Sequence, residues 1–399
     1  MRLDDDDAVA TTPATAATPA TPATAATPAG PAGVVSAAHR GATAPAPEHT
    51  LAALTQAVAA RADRISVDVQ LSRDGVPILM HDPSMERTTD VRQKFPDADP
   101  SYRPQDFTLE QLRTLDAGSW YPGGTYTGSV VLTLEEVLTE LEDSPVGLYL
   151  EPKPEGTATV EGIGKAIMDL VARYPGWVPD PTARTPRLLV ESLPSPTTRW
   201  SFLEAMHEAY PDLPLVLLSR KVKPEDVEAH PYVHEIDVRH NYLTPDIVAA
   251  AHSRGIRVNV WLLNTRTKVR RFLDSGADGI VSDRPGIVRD LLVATGRTWT
   301  GTTWPVTPEV ARVRLAMPGT AVVDGRVPVE AHLRDAEDRP VRWTTVQFQQ
   351  LLGGKWTTVA RNATDSHGSA CVSLPVVEGM RVRAFADGRA STIHGPTTA

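Results

Sequence analysis

Two hydrophobic rhythms divide the 399-residue chain. From about Val34 to Thr295, short β-rich runs are separated by stretches with apolar residues at helical spacing, a pattern of alternating strand and helix. The runs VVSAAH (34–39), RISVDVQL (64–71), VPILMH (76–81), VGLYLE (146–151), RLLVES (187–192), PLVLLS (214–219), HEIDV (234–238), RVNVWLL (257–263) and GIVSD (279–283) predict strands. LAALTQAVAARA, TLEEVLTEL, VEGIGKAIMDLVARY, TTRWSFLEAMHEAY, TPDIVAAAHSRG and TKVRRFLDSG predict helices between them. Nine strands are one more than a closed barrel needs. VPILMH follows RISVDVQL after only SRDG, which makes it either a hairpin extension or a barrel strand. A repeat of this kind over about 260 residues fits an α/β fold of the TIM (β/α)8 type, with a doubly wound open sheet as the alternative.

Two stretches break the rhythm. Residues 83–130 are long and rich in Pro, Asp, Gly and Tyr, with only TLEQLRTL (108–115) reading as a helix, and loops of that length in compact domains are usually functional. After TWTGTTWP (298–305) the chain turns to short alternating runs, from ARVRLAM to MRVRAFA, punctuated by turn residues. Six or seven strands without a helix predict a small all-β, immunoglobulin-like sandwich. The expected organisation is a tail over 1–33, a barrel over 34–300 and a sandwich over 305–399.

Composition refines this picture. Ala, Thr and Pro fill 23 of the first 33 positions, a segment with nothing to bury that should be a disordered spacer. It explains only part of the 35 prolines. MRLDDDDAVA lacks the basic and apolar regions of a secretory signal, yet Thr/Pro-rich spacers often tether exported domains. A secreted or cell-surface location is therefore the expectation, with a cytoplasmic one as the alternative. The net charge of −9 divides into −3 in the tail, −8 in the barrel and +2 from residue 305 onward. A broad acidic surface argues against nucleic-acid partners, and no apolar run reaches the roughly 20 residues of a transmembrane helix. The single Cys excludes a disulfide framework and thiolate zinc sites. In the ACVSLPV run, Cys371 is expected to be buried, and Asn362-Ala363-Thr364 is expected to be a turn that matches a glycosylation sequon by pattern only. Trp343 and Trp356 are expected to serve packing.

Four fragments stand at or just after the ends of predicted strands: HRG (His39–Gly41), SVD (Ser66–Asp68), HD (His81, Asp82) and EPK (Glu151–Lys153). The carboxyl ends of parallel barrel strands share one rim, so these fragments can converge. Two His, two carboxylates, an Arg and a Lys suit phosphodiester cleavage. Cationic groups and a metal on Asp68 and Glu151 would neutralise the diester oxygens, while one His removes a proton and the other supplies one.

In order along the chain, AAHRGATAPAPEHTLAAL, DVQLSRDGVPILMHDPSMERTTDV, DFTLEQLRTLDAGSW, LTLEEVL, LEPK, VNVWLLN and SGADGIVSDRP resemble the glycerophosphodiester phosphodiesterase family, and PEHT with the TTDV…FPDA insertion is most similar to its periplasmic and secreted branch. The resemblance covers residues 34 to about 296. It implies a TIM barrel hydrolysing glycerophosphodiesters to glycerol 3-phosphate and an alcohol with one divalent cation, Ca²⁺ or Mg²⁺. Position by position, it implies His39 and His81 as the acid/base pair, Arg40 and Lys153 as phosphate-binding groups, Asp68 and Glu151 as metal ligands, and Glu48 and Trp261 as pocket residues.

At one position the chain departs from the pattern. The family reads E-x-D on the second strand, and this chain has Ser66, Val67 and Asp68. A hydroxyl is neutral and shorter than a carboxylate, so metal affinity should fall. The expectation is a weakened phosphodiesterase acting on small glycerophosphodiesters or glycerol-phosphate polymers, with the sandwich as a spacer or cell-wall contact. The alternative is a degenerate barrel that binds such polymers without turnover. A third reading, the related barrel lipases that act on choline phospholipids, is disfavoured by the same missing Glu.

Overall fold

The computed structural model describes residues 33–394 apart from 154–158, 181–182, 184, 194–199, 318–324 and 378. The Ala/Thr/Pro-rich tail lies outside the described residues.

All nine predicted strands of the first region form: β1 (Val35–His39), β2 (Arg64–Leu71), β3 (Pro77–Leu79), β4 (Gly147–Pro152), β5 (Leu188–Ser192), β6 (Leu215–Ser219), β7 (Glu235–Arg239), β8 (Arg257–Trp261) and β9 (Gly279–Ser282). Eight run parallel in the order β1-β9-β8-β7-β6-β5-β4-β2, and β2 pairs back onto β1 through Ala37↔Arg64 and His39↔Ser66. That last pairing closes the sheet and excludes the open doubly wound alternative. The ninth strand, β3, is antiparallel to β2 at Val69↔Leu79, so VPILMH is the hairpin extension. Its turn is set by Ser72, whose hydroxyl bonds Asp74 and the Val76 N–H, and by Gly75 in the left-handed region at φ +79°.

Strand alternation sorts the barrel side chains into two sets. Ile65, Val67, Val69, Leu148, Leu150, Leu188 and Val190 face outward, into the core shared with the helices. The opposite faces point into the barrel. Lower down they form an apolar cluster of Val35, Ala37, Tyr149, Leu189, Val216 and Val281, joined by Trp299 from the chain segment after the last helix. Beside it lies a buried polar group: the Tyr149 hydroxyl donates to Glu235 (2.6 Å), and Asn259 Nδ2 donates to Glu235 (2.7 Å) and Asp237 (2.6 Å).

Each predicted helical stretch contains a helix, and two further helices, Pro224–Ala229 and Pro285–Ala294, complete the outer layer. Both begin with Pro at a first-turn position, where its missing N–H costs nothing. The long segment after His81 is ordered by its own core of Met80, Met85, Val91, Tyr102, Phe107, Leu112 and Leu115. It holds four short helical turns; the predicted TLEQLRTL helix is confined to Leu109–Leu112, with a Thr108/Gln111 capping box.

Beyond the barrel lie seven strands: β10 (Arg312–Ala316), β11 (Arg326–Arg334), β12 (Thr345–Leu352), β13 (Lys355–Ala363), β14 (Ser369–Pro375), β15 (Val382–Ala386) and β16 (Arg389–Ala390). They form antiparallel sheets β10-β11-β14 and β13-β12-β15-β16, whose inner faces share a core that includes Val329, Leu333, Phe348, Val372 and Val382. Cys371 is exposed, contrary to expectation: it alternates with Ala370 and Val372 on β14, so core packing of those two turns the thiol outward. Asn362 is likewise no turn residue; it lies within β13, buried, with its amide donating to the Cys371 carbonyl at 2.9 Å. Trp343 packs against the barrel core, and the Arg383 guanidinium lies 4.5 Å from the Trp356 ring centre. Sandwich and barrel are joined by Ser366 to Glu140, Arg342 to Asp143 and Ser373 N–H to the Thr125 carbonyl. Among the described residues no helix is long and apolar enough to cross a membrane.

Candidate active site

The carboxyl ends of the barrel strands open into a cavity of about 500 Å³ lined by His39, Arg40, Ser66, Asp68, His81, Glu151, Lys153, Glu191, Arg220, Asp237, Arg239, His240 and Trp261, among others. Eight of the nine residues singled out from sequence lie on its wall. The ninth, Glu48, sits behind Arg40, from which it accepts a hydrogen bond at 3.0 Å.

Both histidines are held by their Nδ1 atoms. His39, the last residue of β1, meets Asp283 Oδ1 at 2.8 Å. That carboxylate also accepts from Thr43 (2.8 Å) and from Asn264. Burial opposes the Asp283 charge, but bonds from His39, Thr43 and Asn264 outweigh it and keep its pKa below the usual carboxylate range. His81 is delivered to the rim by the β2–β3 hairpin: Met80 N–H bonds the Asp68 carbonyl, and the Gln70 amide clamps the Met80 and Asp82 carbonyls. Its Nδ1 lies 2.6 Å from Asp82, which Arg87 holds in turn. Burial lowers the His81 pKa from its ordinary value, Asp68 opposes this, and the Arg40 and Lys153 cations reinforce it, which favours the neutral ring. In each His–Asp pair the carboxylate engages Nδ1 and sets the ring orientation, leaving Nε2 for other partners.

Arg40 stands in the left-handed region at φ 55°, with its N–H directed at Ser66 Oγ (3.4 Å). Gly41 follows at φ +86°, and a Cβ there would meet the Ala53 backbone of helix Leu51–Ala59 at 2.7 Å. This contact accounts for the glycine of HRG. The Arg40 guanidinium lies between Glu48 and Asp68, with Nε 3.1 Å from Asp68 Oδ2. Arg87 binds Glu48 through two nitrogens at 2.7 and 2.8 Å. Although burial alone would raise it, these partners lower the Glu48 pKa to about 2.

Asp68 and Glu151 are paired in register across β2 and β4. Lys153 Nζ stands between them, 2.8 Å from Asp68 and 2.5 Å from Glu151. Asp68 is also met by His49 Nε2 at 2.9 Å. Burial opposes its charge, yet Lys153, His49 and Arg40 hold its pKa well below the ordinary value. Burial dominates at Glu151; the neighbouring Asp68 carboxylate adds to it and Lys153 opposes it, so its pKa is raised to about 7. Lys153 is thus engaged with the carboxylates rather than pointing free.

Several wall and support residues escaped the sequence reading. His49 and Arg87 were visible inside PEHT and MERTTDV, but nothing local showed that they would reach Asp68 and Glu48. Asp283 ends GIVSD, and Glu191 and Asp237 occupy the inward phase of RLLVES and HEIDV; strand alternation was the available signal. The donor set of buried carboxylates suits a hard divalent cation. Glu191, buried and without a partner among the described residues, fits the same class of ligand. As the side chains stand, no group of three or more His, Cys, Asp or Glu among the described residues is arranged to hold a metal.

A closed parallel (β/α)8 barrel with two Asp-anchored histidines, Arg40, Lys153 and several carboxylates at one mouth defines an α/β barrel equipped for acid/base chemistry. More narrowly, the chain belongs to the glycerophosphoryl diester phosphodiesterase family, whose model matches residues 39–287. It is 27% identical over 257 residues to the glycerophosphodiester phosphodiesterase of Caldanaerobacter subterraneus, covering 64% of this chain and 96% of that one. With the Bacillus subtilis glycerophosphodiester phosphodiesterase it shares 27% identity over 267 residues, 64% of this chain and 85% of its relative. A solved structure from Silicibacter pomeroyi superposes with a TM-score of 0.58 at 27% identity, covering 68% of this chain and 97% of that one. An Oleispira antarctica phosphodiesterase in complex with the product sn-glycerol-3-phosphate has the same fold, with a TM-score of 0.55 at 24% identity over 66% and 97% of the two chains.

Proposed function

We propose that the barrel hydrolyses glycerophosphodiesters to glycerol 3-phosphate and an alcohol, with His39 and His81 as the acid/base pair. The observation that carries this reading is that both imidazoles, each anchored at Nδ1 by an Asp, line one cavity with Arg40, Lys153 and the carboxylates. Neutral His81 takes the proton from the attacking oxygen through Nε2, and His39 supplies one to the departing alkoxide. Arg40 binds the phosphoryl oxygens, held in place by Glu48; its fixed, permanently charged fork suits a diester anion. The half-buried Trp261 forms part of the wall against which the glycerol moiety packs. A divalent cation, Ca²⁺ or Mg²⁺, held by Asp68 and Glu151, would supply charge stabilisation of the phosphoryl oxygens. In the same reading the protein is exported, and the sandwich contacts the cell wall.

An enzyme-linked assay for glycerol 3-phosphate released from glycerophosphocholine tests the activity. Turnover that is abolished by EDTA and restored by Ca²⁺ or Mg²⁺ is expected. No turnover at millimolar metal would replace the hydrolase with a glycerol-phosphate-binding barrel.

A further inference from the structure

The missing carboxylate at Ser66 has a counterpart elsewhere on the barrel wall. Ser66 lies one inward position below Asp68 on β2, level with Tyr149 rather than with Glu151. Its hydroxyl already faces the N–H of Arg40. On the other side of Glu151 stands Glu191. Strand β5 pairs with β4 through Leu150↔Val190, which sets Glu151 beside Glu191 just as Asp68 is set beside Glu151. Alternation fixes the direction of the side chain: Leu188 and Val190 point to the helices, Leu189 points into the barrel, and Glu191 follows Leu189. Asp68, Glu151 and Glu191 therefore make a continuous row on three adjacent strands, spaced by the roughly 4.8 Å between neighbouring strands.

Glu191 is only 4% exposed and lines the cavity, yet among the described residues it has no hydrogen bond and no ion pair. A buried carboxylate without a partner is costly, and the cations of the site are directed elsewhere: Lys153 to Asp68 and Glu151, Arg40 to Glu48 and Asp68. Lys153 acts on Glu191 only at longer range, so the row lacks a cation paired directly with Glu191.

We propose that Glu191 is the third carboxylate ligand of the divalent-cation site, supplied by β5 in place of the residue absent from β2. This rests on the reading that the cavity takes such a cation. The ion would sit toward β4 and β5 rather than toward β1 and β2, held by Asp68, Glu151 and Glu191 with Ser66 taking no part. Lys153 competes for two of the same carboxylates, so the site binds a cation only where all three act together.

The test is cation binding by the full chain, read independently of turnover. Calorimetric titration with Ca²⁺ gives the affinity, and Tb³⁺ luminescence sensitised by Trp261 on the cavity wall reports occupancy of this site. Glu191→Gln keeps the volume of the side chain, and its unfolding temperature in EDTA establishes that it folds. The expected result is a Ca²⁺ affinity lowered at least about 10-fold in E191Q, with a matching loss of the Tb³⁺ signal and of the Ca²⁺-dependent rise in unfolding temperature. Adding Ser66→Glu to E191Q should then recover much of the affinity by returning a carboxylate to the site from β2. Ca²⁺ binding by E191Q as tight as by the unaltered chain would overturn the assignment of Glu191 while leaving the cation reading intact. Absence of Ca²⁺, Mg²⁺ and Tb³⁺ binding by the unaltered chain at millimolar concentration would overturn both.

Discussion

Replacing Asp283 by Asn probes how the barrel holds His39. The carboxylate accepts three bonds: from His39 and Thr43 on Oδ1, each 2.8 Å, and from Asn264 on Oδ2. An amide of the same shape cannot satisfy all three donors. With its oxygen toward His39 and Thr43, its NH₂ opposes the NH₂ of Asn264. With the amide reversed, its NH₂ faces His39 Nδ1, and in neither orientation does it carry the negative charge that stabilises a His39 ring protonated on both nitrogens. Hydrogen bonds to a charged group contribute about 1.5 to 3 kcal/mol each. The His39 and Asp283 side chains are 29% and 25% exposed, which favours the lower value. Weakening two such bonds then amounts to about 3 kcal/mol, or roughly 100-fold in rate. The assay is glycerol 3-phosphate release across pH 5 to 9, with unfolding monitored separately. We expect kcat to fall far more than KM rises and the pH profile of kcat to change, while the unfolding temperature shifts by only a few degrees. A D283N enzyme with kcat within threefold of the parent and an unchanged pH profile would refute the role of Asp283 as the positioning partner of His39.

Other outcomes follow from the same structure. His81→Gln removes the neutral base and should lower kcat by about 10² to 10⁴ with little change in Ca²⁺ binding, measured by titration. Gly118→Ala would drive a Cβ to within 1.9 Å of the Tyr126 carbonyl; the forced shift should destabilise the protein by about 1 to 3 kcal/mol, seen as a lower urea midpoint. Asp63, near the foot of the barrel, is raised to about 6, chiefly by burial and despite the bond from Ser36 N–H. Because its folded pKa lies above the unfolded value of 3.8, its contribution is complete below pH 4 and is lost as pH rises through 6. That loss is on the order of 2 to 3 kcal/mol, and Asp63→Asn should remove this component from stability curves measured between pH 4 and 7.

Much of this protein is legible in its residue pattern because local periodicity carries the information. RISVDVQL alternates strictly enough for both strand and inward face to be read, whereas the apolar run VGLYLE marks a strand whose inward face is set only by the register that pairs Asp68 with Glu151. The fragments HRG, HD and EPK mark strand ends, and a parallel barrel brings all strand ends to a common rim. Glu48 shows where that reasoning stops: its motif placed it at the pocket, while packing set it one layer behind, bracing Arg40. Helices Pro224–Ala229 and Pro285–Ala294 were not anticipated, and Cys371 turned outward because its neighbours on β14 filled the core.

The sequence by itself determined the alternating architecture, the change to an all-β region near residue 300, and the inventory of groups able to handle a phosphodiester. It could not determine which of those groups meet, because contacts between Asp283 and His39, or between His49 and Asp68, depend on barrel closure and strand register. Register also separates two positions on the cavity wall. Ser66 is close to Asp68 along the chain but one layer below the row of carboxylates, whereas Glu191, more than a hundred residues away, stands level with it. Only strand register, a property of the closed barrel, sets Asp68, Glu151 and Glu191 level with one another on three adjacent strands.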